Sequence, residues 1–324
     1  MTSHEAAFHL AVKQFEQAER ILLVSHIRPD GDAVGSLIGL GLALQQAGRD
    51  VQMVIDDGIS ADLRYLEGSR DIRRRPVGEF DLVCTLDCSD LTRTGEALSG
   101  RPICDINIDH HATNLNFANI NLIDTQAVAT AEIVADLLFS VGIEMTYPVA
   151  TALMYGLLTD TIGFRTANVS PKSLRLTADL LETGVDMAGL YRRALTNRSF
   201  EAARFWGSGL NKLKRLDRMV YTSLTLADRQ EAHYPGRDDA DLINILSSIE
   251  DTDISLVFVE QSDGHVKVSW RAQPGFDVSK VAMDFGGGGH AAASGAEIRG
   301  SLSEVQAAVI EKTRPLMNGG HRVE

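Results

Sequence analysis

ILLVSHIRPDGDAVGSLIGLGLALQQAG, residues 21–48, decides the fold class. Residues 21–25 are a short apolar run of strand-forming side chains, and HIRPDGD follows as a polar turn marked by Pro29 and Gly31. From residue 33 the apolar side chains recur at helical spacing until Gly48, a natural helix stop. The unit is strand, loop, helix. Three further apolar runs, VQMVI (51–55), DLVCTLD (81–87) and ICDINID (103–109), end in Asp or a polar turn, with helical or irregular segments between them. Such alternation predicts a mostly parallel sheet with helices on both faces, whose ligands bind beyond the carboxyl ends of the strands. The acidic residues cluster at those ends.

After residue 127, AVATAEIVADLLFSVG and PVATALMYGLLTDTIGF have helical periodicity, and Pro171 opens a further helix. The amphipathic stretch from 187 to 215 is expected to be a helical linker, which places one domain at 1–186 and a smaller α/β domain at 216–324. The second domain is expected to hold a strand at MVYTSLTL (219–226), a helix around DLINILSSI and strands at ISLVFVEQ and HVKVSWRAQ, with a last helix after SLSEVQAAVIEKT.

A chain of 324 residues exceeds what one core normally fills, and 44% hydrophobic with 23% charged residues is globular composition. No apolar run reaches the ~18 residues of a membrane helix, and the N-terminal residues lack a basic segment followed by a hydrophobic one, so a cytoplasmic protein is expected. Three cysteines, Cys84, Cys88 and Cys104, form no CxxC clip and suit buried packing in a reducing compartment. The net charge of −13 repels polyanions and disfavours long duplex nucleic acid as a partner. A small anionic substrate remains compatible where cations reverse the field inside a cleft. Arg73, Arg74 and Arg75 read as a solvated loop.

Five constellations carry chemistry. His26, Asp30 and Asp32 lie in one loop after a strand; a D-x-D pair alone is most often caps and turns, but alternating carboxylates can serve two neighbouring cations. Asp87 ends the third candidate strand, and in a parallel sheet it falls beside Asp30 and Asp32, an arrangement that is costly without cations. Asp109, His110 and His111 end the fourth, and offer a metal ligand, an acid that orients a ring, and a cation for phosphate. Asp160, at the end of TALMYGLLTD, would supply the last carboxylate. Gly286–Gly289 and His290 sit inside the second domain rather than between domains, where a loop without side chains lets backbone N–H groups approach a phosphate.

Taken in order, H-x-x-x-D-x-D at 26–32 with Gly35 and Ser36, the lone Asp87, the Asp109-His110-His111 triplet, Asp160 in L-T-D-T-x-x-F, and the GGGGH loop with S-W-R ending at Arg271 resemble the DHH phosphoesterase family and its associated C-terminal domain. The likeness runs from about residue 20 to 296. It implies two Mn²⁺ ions, with Mg²⁺ as the alternative. One would be held by His26, Asp30 and Asp87, the other by Asp32, Asp87, His110 and Asp160. His111 would meet the phosphate and be catalytic together with Asp109, and Arg271, Gly287, Gly288, Gly289 and His290 would hold the nucleotide across an interdomain cleft. Within the family the motifs are most similar to the oligoribonuclease and pAp phosphatase group. That implies hydrolysis of short oligonucleotides such as pApA and pGpG by a metal-activated water, dephosphorylation of 3′-phosphoadenosine 5′-phosphate, no membrane partner and compatibility with a homodimer. Competing expectations are a single-strand exonuclease, a cyclic-dinucleotide phosphodiesterase, or a silent nucleotide-binding regulator.

Overall fold

The computed structural model describes residues 3–60, 63–100 and 104–319. The chain divides into two compact units, Met1–Asn197 and Arg198–Glu324.

In the first unit α1 (Ser3–Gln17) precedes β1 (Arg20–Val24), α2 (Gly31–Gln46), β2 (Asp50–Val54), β3 (Leu82–Leu86), β4 (Ile106–Asp109) and β5 (Ile120–Ile123). Then come α3 (Thr130–Ser140), α4 (Tyr147–Asp160), α5 (Pro171–Glu182) and α6 (Met187–Tyr191). The five strands form one sheet in the order β2-β1-β3-β4-β5, and every pairing is parallel. Central β3 is buried along its whole length, as a strand covered on both faces must be. Side chains alternate across the sheet. Ile21, Leu23, Cys84 and Ile106 face a large core shared with α1 to α5, while Leu22, Val24, Val54 and Val83 meet Ala97, Leu98 and Phe80 on the other face. The α-helices therefore gather on the first face. The second is closed by Phe80, ahead of β3, and by Ala97 and Leu98 of the β3–β4 connection, which follow the 3-10 turn at Leu91–Thr94.

Helix α2 is buried almost all round because it crosses α4 closely. A Cβ on Gly35 would lie 2.5 Å from the Ala152 carbonyl oxygen and 2.8 Å from the Gly156 nitrogen. Only glycine permits that approach. The expected fourth strand begins at Ile103, outside the described residues, and pairing is seen from Ile106. Sequence reading missed α1, whose face is only mildly apolar, and β5, a short INLI run with two half-buried positions next to its one buried leucine.

The expected linker at 187–215 is not one helix. Helix α6 continues into a π-helical turn at Arg192–Thr196, Asn197 is extended, and Ser199 caps a new helix, α7 (Phe200–Asn211), by accepting from the Ala202 N–H. Strand β6 (Lys214–Leu216) follows.

The second unit continues with β7 (Met219–Leu224), α8 (Leu226–Ala232), α9 (Leu242–Leu246), β8 (Ile254–Glu260), β9 (His265–Ala272), α10 (Ser279–Asp284), β10 (Gly288–His290), β11 (Ala293–Arg299) and α11 (Leu302–Gly319). Its six strands run β10-β11-β9-β8-β7-β6, antiparallel except for β7 with β8. One face packs Val266, Val268 and Trp270 against α10 and α11; the other packs Val220, Val257 and Val259 against α7, α8 and α9. The glycine tract is not simply a loop. The Gly286 and Gly287 N–H groups close the end of α10 on Met283 and Ala282, and Gly288–His290 form the edge strand β10. A Cβ on Gly287 would meet the Gly295 carbonyl oxygen at 2.1 Å, so close packing accounts for at least that glycine.

Candidate metal centre

Parallel topology carries His26, Asp87 and the Asp109-His110-His111 triplet to the carboxyl ends of β1, β3 and β4, which are neighbours in the sheet. Helix α2 adds Asp30 as its N-cap, accepting from the Ala33 N–H at 3.0 Å, and Asp32 in its first turn. Helix α4 ends on Asp160. The Gly35–Gly156 crossing sets the separation of those two helices, and a Cβ on Gly156 would lie 2.8 Å from Asp32 Oδ1.

Three groups of donor atoms result: His26, Asp30 and Asp87; Asp87, His110 and His111; and Asp32, His110 and Asp160. His26 Nε2 lies 3.4 Å from Asp87 Oδ2 and 3.9 Å from Asp30 Oδ1. His110 Nε2 lies 3.4 Å from Asp160 Oδ2, 3.9 Å from Asp87 Oδ1 and 4.0 Å from Asp32 Oδ2. Asp87 belongs to two of the groups and presents Oδ2 to His26 and Oδ1 to His110 and His111. Its backbone is left-handed, with φ 58°, and its N–H donates to the Ile108 carbonyl at 2.9 Å. This turns the chain sharply at the strand end and aims the carboxylate inward; Asp is among the few residues that accept the conformation.

Electrostatics mark the cluster as built for positive charge. Burial raises Asp32 well above the ordinary carboxylate range, and the charges of Asp87 and Asp160 add to the rise. Asp160 is pushed up to about 7, chiefly by burial. Asp87 moves the opposite way, held low against burial by His26 beside it and by the His111 and His110 charges. Burial opposes a charge on His111, yet its contact with Asp109 and the nearby Asp87 charge win and raise it to about 9. His26 is raised in the same manner by Asp87 and Asp30. Its Nδ1 lies 2.9 Å from the Ile27 carbonyl, and its Nε2 is buried with no partner in hydrogen-bonding geometry. An unfilled imidazole nitrogen facing carboxylates fits a divalent cation, and the mixed oxygen and imidazole donors fit Mn²⁺ or Mg²⁺ better than a thiolate-seeking metal.

Asp109 is fully buried and is not in any of the three groups. It accepts from the His110 N–H at 2.9 Å, the His111 N–H at 3.3 Å and the Asn114 amide, and lies 2.7 Å from His111 Nδ1. Three contributors escaped sequence reading. Asn114 also donates to the Cys88 carbonyl at 3.1 Å, Arg93 reaches His26 Nδ1 at 3.1 Å, and Thr130 donates its hydroxyl to Asp87 at 2.9 Å. Each is an isolated polar residue in an unremarkable segment, so no local signal was there to find. Cys84, Cys88 and Cys104 are buried and unpaired, with thiols raised by burial, which agrees with packing roles.

In the second unit Arg271, Ala293 and His290 lie in one cross-strand row of β9, β11 and β10. Alternation along β9 puts Arg271 on the face opposite Val266, Val268 and Trp270. The Arg271 Nε is buried without a hydrogen-bond partner, and burial lowers the guanidinium against the pull of Asp239 and Asp241. Gly288 is exposed and a Cβ there meets nothing.

Comparison with known proteins follows the same division. The N-terminal domain of the DHH family matches residues 20–157, and the DHHA1 domain matches 223–314. The bifunctional oligoribonuclease and PAP phosphatase NrnA of Thermus thermophilus is 34% identical over 300 residues, covering 91% of this chain and 89% of its own. The Bacillus subtilis protein of the same name is 23% identical over 295 residues, covering 86% and 90%. Among solved structures, an exopolyphosphatase-related protein from Bacteroides fragilis superposes with a TM-score of 0.88 at 28% identity, covering 97% of this chain and 98% of its own. RecJ from Thermus thermophilus in complex with Mn²⁺ has a TM-score of 0.54 at 13% identity, over 97% of this chain and 54% of that one, a likeness of fold. Among the described residues, no helix is long and apolar enough to cross a membrane.

Proposed function

This chain belongs to the DHH family and is a hydrolase of phosphoester bonds, and we propose that it cleaves short oligonucleotides to mononucleotides and removes a phosphate from pAp, using two Mn²⁺ ions. The observation that carries this reading is the sharing of Asp87 between two groups of cation donors, with His26 on one side and His110 on the other. The names of the relatives that cover most of this chain's length, oligoribonuclease and PAP phosphatase, give the substrate class.

In this proposal His26, Asp30 and Asp87 hold one ion, and Asp32, Asp87, His110 and Asp160 hold the other. Bound there, the pair supplies Lewis acidity that makes a water nucleophilic and offsets charge on the phosphoryl group. The chain's own residues do the rest. Asp109 keeps His111 protonated through Nδ1, which leaves its Nε2–H as a donor for a phosphoryl oxygen. Asn114 holds Asp109 in place for that task. Arg271, with an unpartnered buried Nε, and His290 in the same row hold the nucleotide, and exposed Gly288 leaves the backbone open beside them. The site's donors leave no need for a protein nucleophile. The acidic surface favours short substrates over long polyanions, and a cytoplasmic setting agrees with free buried thiols.

The test is incubation of purified protein with Mn²⁺, Mg²⁺ or chelator and a panel of pAp, pApA, pGpG, cyclic di-AMP and a 24-mer single strand. Release of mononucleotides from the dinucleotides, lost in chelator, is expected. Activity on the 24-mer without mononucleotide release from pApA or pGpG would reject the proposal.

A further inference from the structure

We propose that Thr130 is a positioning residue that locks Asp32 and Asp87 into one fixed relation, and so sets the spacing of the cation pair; this rests on the two-ion reading above. Thr130 opens α3 and is fully buried. Its backbone N–H donates to Asp32 Oδ2 at 2.6 Å, while its hydroxyl donates to Asp87 Oδ1 at 2.9 Å. One residue thus holds two carboxylates that arrive from different elements. The next N–H, from Ala131, completes the grip on Asp32 with a 3.0 Å bond to Oδ1. Because α3 has no side-chain N-cap of its own, Asp32 takes that place, and the helix start favours its negative charge.

The hydroxyl matters because Asp87 must divide its oxygens. Oδ2 faces His26 Nε2 at 3.4 Å, whereas Oδ1 faces His111 Nδ1 at 3.5 Å and His110 Nε2 at 3.9 Å. Rotation about the last torsion of an aspartate is soft, so a bond to one oxygen is needed to keep the carboxylate plane in that orientation. Thr130 supplies it from a fixed point. Just before it, the Val128 N–H donates to Glu132 Oε2 at 3.0 Å, and Lys172 Nζ lies 3.0 Å from Glu132 Oε1, which anchors the helix start.

The full-length protein is titrated with Mn²⁺ alone, by calorimetry and by electron paramagnetic resonance, as wild type, Thr130→Val, Thr130→Ala and Thr130→Ser. Loss of the hydroxyl in Val or Ala is expected to weaken binding of the second ion about 10- to 100-fold, the range for outer partners of metal ligands, and to remove the spin-coupled signal of the pair. Thr130→Ser keeps the hydroxyl and is expected to restore both. Unchanged affinity and coupling in Val and Ala, with only a lower unfolding temperature in chelator, would make Thr130 purely structural and overturn the proposal; Ala serves where Val does not fold. A wild-type chain that binds a single Mn²⁺ would instead remove the two-ion reading, and this proposal with it.

Discussion

Replacing Gly35 with alanine should cost more activity than stability. The added methyl carbon would sit 2.5 Å from the Ala152 carbonyl oxygen and 2.8 Å from the Gly156 nitrogen, both backbone atoms of α4. Ordinary contacts begin near 3.5 Å, so α2 and α4 must separate by roughly 1 Å. Overpacking of this kind costs about 1–3 kcal/mol. For a unit the size of Met1–Asn197 that is a fall of about 2–12 °C in unfolding temperature. The catalytic effect is larger, because the same shift moves Asp32, on α2, away from Asp160, on α4. A misplacement of about 1 Å commonly costs about 100-fold in rate. Gly39→Ala is the matched control. It lies on the same helix, but its methyl would meet the Leu153 side chain, at 2.5 Å from Cδ2, and a leucine can rotate away. The assay is kcat/KM on a dinucleotide beside thermal unfolding of each variant. Equal activity losses in both, or wild-type activity in Gly35→Ala, would refute the idea that this crossing sets the ligand geometry.

Asp87→Ala should lose more than the 100-fold typical of an outer partner, since its carboxylate belongs to both donor groups of the proposed ion pair, while secondary structure by circular dichroism stays near wild type; retained turnover would put the site elsewhere. In chelator, the folded chain holds protons on Asp160 and His111 more tightly than the unfolded chain does, with values raised to about 7 and about 9 from 3.8 and 6.5. The stability those groups contribute is therefore full below their unfolded values and is lost as pH rises through the folded ones. The gain in unfolding temperature on adding Mn²⁺ should accordingly be larger at pH 8 than at pH 5.5, and an equal gain at both would contradict the assignment. Gly207→Ala, within α7 where a Cβ meets nothing, should stabilise the second unit by about 0.4–1 kcal/mol in denaturant unfolding, with unchanged turnover; destabilisation there would show that the backbone at 207 is not free to carry a side chain.

What could be read in advance followed from topology. Once β1, β3 and β4 are recognised as parallel strands, the residues after them must converge, so His26, Asp87 and the 109–111 triplet meet without further assumption. Asp160 was legible as the polar end of an apolar helix. The clamp on Asp32 was not, because the atoms that grip it are backbone N–H groups 98 and 99 residues away, and a backbone donor leaves no trace in composition. Strand β10 was hidden by glycines, which have low strand propensity, yet a Cβ on Gly289 would lie 2.5 Å from the Ala293 carbonyl oxygen, so the close pairing with β11 itself calls for glycine. The break before α7 lay in a segment that reads as continuous helix; Ser199 is its one local mark.

Asp32 both closes the start of a helix and lies in a donor cluster that, as proposed, holds a cation, and this has a consequence for how variants of the gene would be read. A screen that scores only growth or product would see Asp32 substitutions fail and credit chemistry, although part of the deficit would come from protein that never accumulates. Measured as abundance and specific activity separately, Asp32 variants should fall on both axes, whereas variants of solvent-facing Asp30, which caps only its own helix, should fall chiefly on the second. A position that carries two duties leaves inheritance few routes of change.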